Sequence, residues 1–102
     1  MGNIYIGYRK ASFIYILAVD GKIKVGRSND ITKRMAWYRT RFPGYKALHI
    51  APVIDNKQDE RELIDKLTNC IEGREWFEDN EYNRQIVSEY AELHSRFAPF
   101  MP

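Results

Sequence analysis

Cysteine is almost missing from this chain. Cys70 is the only one in 102 residues, so no internal disulfide can form and no thiolate zinc site can be assembled. Long apolar runs are missing as well. None reaches the ~20 residues of a membrane-spanning helix, and no cationic start followed by an apolar stretch marks a signal peptide. The opening Met1-Gly2 does not fit a myristoylation site, because Ile6 stands where Ser or Thr is wanted. His49 and His94 are the only two histidines and neither has a ligand cluster near it in the sequence, so both are expected to be structural or exposed. Repeats, low-complexity tracts and interdomain linkers are also lacking. A cytoplasmic protein with no membrane partner is the expectation.

What is present is enough for one folded domain. Hydrophobic residues make up 44% and aromatics 14% of the chain, which excludes disorder and allows a modest core. The whole of 1–102 reads as a single domain. Residues 1–12, with Ile4-Tyr5-Ile6-Gly7, form an arm or extra strand, and 98–102 form a loose tail. The net charge of +2 conceals an asymmetry: ten Lys or Arg against two Asp up to Lys46, then six against twelve Asp or Glu from Ala47 onward. A basic half points to an anionic partner such as nucleic acid; the bland reading is that the two halves attract each other within the fold.

The stretch from Phe13 to Arg39 organises the rest. Phe13 to Val19 is β-branched and aromatic, as strands prefer. Asp20-Gly21 is a type I′ hairpin signal, and Lys22 to Val25 alternates cationic and apolar positions. Gly26 ends that strand, and Ser28-Asn29-Asp30 offers N-caps for a helix over about Ile31 to Thr40. Ile31, Met35 and Tyr38 share that helix's inner face, and Phe42-Pro43-Gly44 stops it. Tyr45 to Val53 reads as a third strand whose pairing ends at Pro52 or which lies at an edge. A second helix is expected over about Lys57 to Ile71, capped by Asp55 or Asn56 and ended by Gly73. Leu63, Leu67 and Cys70 would line one side of it, with Ile64 and Ile71 beside them. Arg74 to Phe77 reads as a link that pins Trp76 and Phe77 into the core. A last helix starts at Asp79 or Asn80, with Ile86, Tyr90, Leu93 and Phe97 on its apolar side. The fold class expected is α/β (α+β): a small three-stranded, mainly antiparallel sheet (hairpin, helix, strand, two helices) flanked by helices.

Five short motifs in this order resemble the GIY-YIG nuclease superfamily, in particular its small phage and bacterial branch with Lys-Ile-Gly in place of Tyr-Ile-Gly. Phe13-Ile14-Tyr15 stands for Gly-Ile-Tyr, and Lys24-Val25-Gly26-Arg27-Ser28 for Lys-Ile-Gly-Arg-Ser. Lys33-Arg34-Met35 stands for the Lys-Arg-Leu that carries the family's arginine. Glu60, followed by Leu63 and Ile64, stands for the metal-binding Glu, and Gly73-Arg74-Glu75-Trp76-Phe77 for a closing Gly-Glu-Trp-Phe. The likeness covers about Phe13 to Phe77. Departures are Phe13 in place of Gly, Lys24 in place of Tyr, and Ile64 where a His is often found; Asn83 is the one candidate for a late Asn. Tyr5-Ile6-Gly7 spells the second motif but precedes the first, and is read as a decoy.

The resemblance implies a divalent-metal-dependent endonuclease acting on DNA with low sequence specificity, RNA being the other polyanion left open. A single Mg²⁺ or Mn²⁺ on Glu60 would neutralise phosphate charge, and such ions keep much of their water. Arg34 would hold the phosphate with its fork. Tyr15 would accept a proton from water. A free phenol titrates near ~10, so a nearby cation is needed, and Lys24 could supply it or could be an ordinary phosphate contact. Arg27, Lys33, Arg39, Arg41 and Lys46 would track phosphates. Each has a dull alternative: Tyr15 as packing, Lys24 on a solvated edge, Arg34 in a surface pair with Asp30, Glu60 as one more solvated carboxylate. Trp37, Tyr38, Trp76 and Phe77 read as core. The competing function is a GIY-YIG-like module that binds nucleic acid or protein without cleaving. A third is a phage-type protein whose acidic half mimics a nucleic-acid backbone. Oligomeric state is not legible.

Overall fold

The computed structural model describes residues 12–96. The arm around Ile4 to Gly7, Phe97 and the tail 98–102 lie outside the described residues. Within them the order is β1 (Phe13–Val19), β2 (Lys22–Ser28), α1 (Ile31–Arg41), β3 (Lys46–Pro52), α2 (Asn56–Lys66), β4 (Cys70–Glu72), β5 (Trp76–Glu78) and α3 (Glu81–Arg96). The strands make one antiparallel sheet in the order β3-β1-β2-β5-β4. Among the described residues, no helix is long and apolar enough to cross a membrane.

The hairpin is built as its residues dictate. Asp20 and Gly21 both take positive φ, 49° and 78°, as a type I′ turn requires. Tyr15, Leu17 and Val19 share one face of the sheet with their cross-strand neighbours Gly26, Lys24 and Lys22. Ile14 and Ile16, with Val25 and Arg27 opposite them, share the other. Both faces are covered. On the first, Tyr15, Leu17 and Val19 pack with Met35 and Tyr38 of α1. On the second, Ile16, Ile23, Val25 and Phe77 pack with Leu63 of α2, Leu67 just past its end and Val87 of α3. β3 is an edge strand, and its pairing with β1 ends at Pro52, as proline at an edge allows.

The sheet has five strands, not the three expected. β4 and β5 are three residues each, too short for an alternation to show in sequence. Left-handed residues make room for them: Asn69 (φ 57°) follows α2, and Gly73 (58°) with Arg74 (60°) turns β4 into β5. So α2 ends at Lys66 and not near Ile71, and Gly73 turns a hairpin and does not end a helix. Cys70 and Ile71 sit exposed on an edge strand. On α3 Asn83 and Val87 are buried, Ile86 and Tyr90 pack partly buried against the core, and Leu93 is exposed.

Asn83, the candidate for a late catalytic Asn, is fully buried and fully used. Its side chain accepts from the Thr68 backbone N–H (2.9 Å) and donates to the carbonyls of Thr68 and Glu78 (2.8 Å each). It therefore ties the end of α2 and the end of β5 to α3, which starts from an Asn80 cap. Asn83→Ala removes the partner of the Thr68 N–H and of the Thr68 carbonyl, and one of the two donors to the Glu78 carbonyl, which keeps the Asn80 N–H (3.1 Å). We expect a loss of about 3 kcal/mol with an unchanged m-value in urea unfolding; a loss within experimental error would refute the clamp.

Candidate active site

Local chemistry at the end of β2 aims α1. The Ser28 hydroxyl accepts from the Asp30 N–H (2.9 Å), and the Asp30 carboxylate accepts from the Lys33 N–H (3.1 Å), capping the helix. The helix then presents Arg34, Trp37 and Tyr38 at i, i+3 and i+4 on one side. A second anchor sets α2. Asn56 is buried; its N–H donates to Ser12 Oγ (3.1 Å), and its amide makes long 3.5 Å bonds to the carbonyls of Phe13 and Ser28. Glu60 follows one turn later and so faces the same strand end.

These anchors bring Tyr15, Lys24, Arg34 and Glu60 to one hollow of about 550 Å³, with Gly26, Arg27, Trp37, Tyr38, Phe42, Glu75 and Trp76 completing its wall. β5 pairs with β2 only along Lys22 to Lys24, so the Gly26 to Ser28 end of β2 is left unpaired on that side and the hollow opens there. Of the other expected phosphate contacts, Arg27 lines the hollow, and Lys33 lines an adjoining depression with Ser28, Asp30, Arg34 and Trp37. Arg41 stacks on Trp37, its guanidinium carbon 4.9 Å from the ring centre. Arg39 and Lys46 are exposed and line neither space.

Tyr15 is only 2% exposed, and its ring lies across Gly26, its partner on β2. A methyl built on Gly26 would collide with the hydroxyl end of that ring, 2.6 Å from Cε1 and closer still to Cζ and the hydroxyl. The Tyr15 and Tyr38 hydroxyls share a hydrogen bond (3.2 Å), and the rings meet edge-on. Burial pushes the Tyr15 phenol above its ordinary value; the Tyr38 hydrogen bond and the Arg34 guanidinium pull it down only in part, while Glu75 and Glu60 push it up. Tyr38 is driven higher, by burial and by its bond to Tyr15. Tyr15 is therefore a neutral phenol at rest, and the Arg34 guanidinium is a cation that pulls its pKa down.

Lys24 has another partner. It is 7% exposed, donates to Glu75 Oε1 in an ion pair and lies 5.5 Å from the Trp76 ring centre. That is a way to keep an ammonium out of water without leaving it unpaired. It is not a solvated edge residue. Glu60 is also paired: its Oε1 accepts from Arg27 Nε at 3.0 Å. Among the described residues no hydrogen bond engages Oε2, and the Arg34 guanidinium has no carboxylate partner, Asp30 included.

Sequence reasoning missed three residues of this wall. Glu75 reads only as part of the fifth motif; its pairing with Lys24 depends on the β2–β5 register, which the sequence does not show. Tyr38 read as core, and is buried, yet its hydroxyl reaches Tyr15. Trp37 read as core and is 42% exposed; it precedes the inward-facing Tyr38 and so looks out along the rim.

Among the described residues, no group of three or more His, Cys, Asp or Glu gathers as a closed metal cage would need. The donor set fits only a hydrated ion held by one or two carboxylates, the manner of Mg²⁺. Glu60, with Oε2 uncommitted, meets that requirement.

Compared with known families, residues 4–95 match the family model described as T5orf172 domain. That family is phage-associated, related to nuclease folds, and nuclease-like or DNA-binding in general. No curated protein and no solved structure matches the chain.

Gly26→Ala tests the packing that shapes the hollow. The added methyl must expel the Tyr15 ring. We expect a stability loss of about 1–3 kcal/mol and large NMR shift changes at the Tyr15 and Tyr38 rings; unmoved ring resonances would show that the contact is not tight.

Proposed function

Because the chain belongs to the T5orf172 domain family, we propose that it is a divalent-metal-dependent endonuclease of the GIY-YIG kind, hydrolysing DNA phosphodiester bonds with low sequence specificity. The observation that carries this reading is the convergence of Tyr15, Lys24, Arg34 and Glu60 on one hollow open to solvent. Composition and helix packing give no reason for a phenol, an ammonium, a guanidinium and a carboxylate to share one wall.

In this mechanism Arg34 binds the scissile phosphate. Its fork is free of protein carboxylates among the described residues, so a phosphate gains two charge-assisted hydrogen bonds without breaking an ion pair. Glu60 would hold Mg²⁺ or Mn²⁺ through Oε2, and the ion, when bound, supplies charge neutralisation at the phosphate and its leaving oxygen. Arg27 keeps Glu60 aimed at the hollow. Tyr15 orients the attacking water and, in the fraction of molecules whose phenol has lost its proton to solvent, the phenolate takes the water's proton; Tyr38 holds the ring in position. Lys24 with Glu75 walls the site and offers the phosphate a second cation.

A second reading, a binding module without chemistry, has its own support. One Glu60 oxygen is already taken by Arg27, and Tyr15 is protonated and hydrogen-bonded. It predicts salt-sensitive DNA binding with no cleavage.

Two measurements separate them. Nicking of supercoiled DNA with Mg²⁺ or Mn²⁺ should occur with wild type and fall about a hundredfold or more in Glu60→Ala. Equal inactivity of the two proteins would sink the enzyme. The second is the pH profile. Since the Tyr15 pKa is raised, its phenolate fraction climbs about tenfold per pH unit below that pKa. Cleavage should rise with that slope from about pH 6 to 9 and lose the slope in Tyr15→Phe; a plateau at neutral pH in wild type would remove Tyr15 as the base.

A further inference from the structure

Trp37 is out of place for a side chain of its size. It is 42% exposed on α1, one position before the buried Tyr38. Leaving so large an apolar surface in water forgoes burial worth about 25 cal/mol per Å². Nor does it hang loose: the indole meets Tyr38 edge-on at 5.0 Å and Phe42 at 6.2 Å, and Arg41 packs over it at 4.9 Å.

Its position is as telling as its exposure. The hollow and the adjoining depression of about 270 Å³ share two wall residues, Arg34 and Trp37. The depression also carries Lys33. A flat π surface thus stands beside a guanidinium with no carboxylate partner among the described residues, at the junction of two cationic spaces. Cations for phosphates interleaved with rings for base faces is the pattern a single strand selects. In a continuous duplex both faces of a base are already stacked, so none is free to meet an indole unless the base is unpaired.

We propose that Trp37, backed by Arg41, is a stacking wall for an unpaired base next to the phosphate held by Arg34, with Lys33 contacting the following phosphate. The substrate class is then single-stranded or locally unpaired DNA, not continuous duplex. This rests on the hollow being a DNA site, as argued above, but needs no cleavage.

The test is therefore a binding experiment in EDTA. Fluorescein-labelled oligothymidylate and a duplex of equal length are titrated with the full chain and followed by anisotropy. Wild type should prefer the single strand. Trp37→Ala should weaken single-strand binding roughly tenfold or more while changing duplex binding by less than about twofold. Trp37→Phe, which keeps a ring, should retain most of the single-strand affinity. Equal losses on both ligands, or an Ala variant that still prefers the single strand, would overturn the stacking wall. Failure of the nuclease reading shows separately: single-strand preference that depends on Trp37, with no Glu60-dependent cleavage in Mg²⁺ or Mn²⁺, removes the chemistry and leaves the wall.

Discussion

Tyr15 and Gly26 face each other across the β1–β2 ladder, and the far end of the phenol ring lies where a side chain on residue 26 would stand. That single vacancy on β2 shapes the hollow. Because the ring can lie across the neighbouring strand, its hydroxyl reaches Tyr38 and the ring forms, with Gly26, part of the floor of the hollow beside Arg34 and Glu60. A glycine inside a strand costs backbone entropy and gives no packing. Here the loss is offset by the close approach it permits, which no other residue type would allow.

Around that floor the charges are arranged in pairs with one left over. Lys24 is held by Glu75, and Arg27 holds Glu60. The first ammonium is buried and could not stay charged alone without a penalty of several kcal/mol. The second pair is more exposed on its arginine side and contributes little to stability, but it fixes where the carboxylate points. Of the three cations that line the hollow, Lys24, Arg27 and Arg34, only Arg34 has no carboxylate partner among the described residues. An arriving phosphate therefore meets a guanidinium that is already free, while the carboxylates that would repel it are partly neutralised by their own partners.

What could be read from sequence was whatever is decided locally. The type I′ turn at Asp20-Gly21, the Asp30 cap and the inward face of Met35 and Tyr38 follow from neighbours a few residues apart. The convergence of Tyr15, Lys24, Arg34 and Glu60 was legible through the resemblance, not through periodicity, since Glu60 reaches the hollow only because Asn56 anchors α2 to the hairpin's end. Illegible were features fixed by strand register or by competition for space. β4 and β5 are too short to announce themselves, and Cys70 and Ile71 matched a helical stripe that the left-handed Asn69 interrupts. Trp37 and Trp76 are the same residue type, yet one lies on the rim and the other against a lysine; composition treats them alike.

The lysine in the second motif makes sense only together with the fifth. Lys24 and Trp76 are register partners, and Glu75 is the adjoining residue whose carbonyl accepts from the Val25 N–H (2.9 Å). The backbone ladder thus delivers the carboxylate and the indole to the ammonium without any further loop. The pair is unequal. Glu75 is about half exposed and can hydrate alone, whereas Lys24 is enclosed. It is the lysine that requires the glutamate, and hence β2 that requires β5. A tyrosine at position 24 would place a neutral hydroxyl in the same enclosure and would have no such need of a carboxylate. The added hairpin is therefore part of the site, because the cation in the hollow's wall is retained through it.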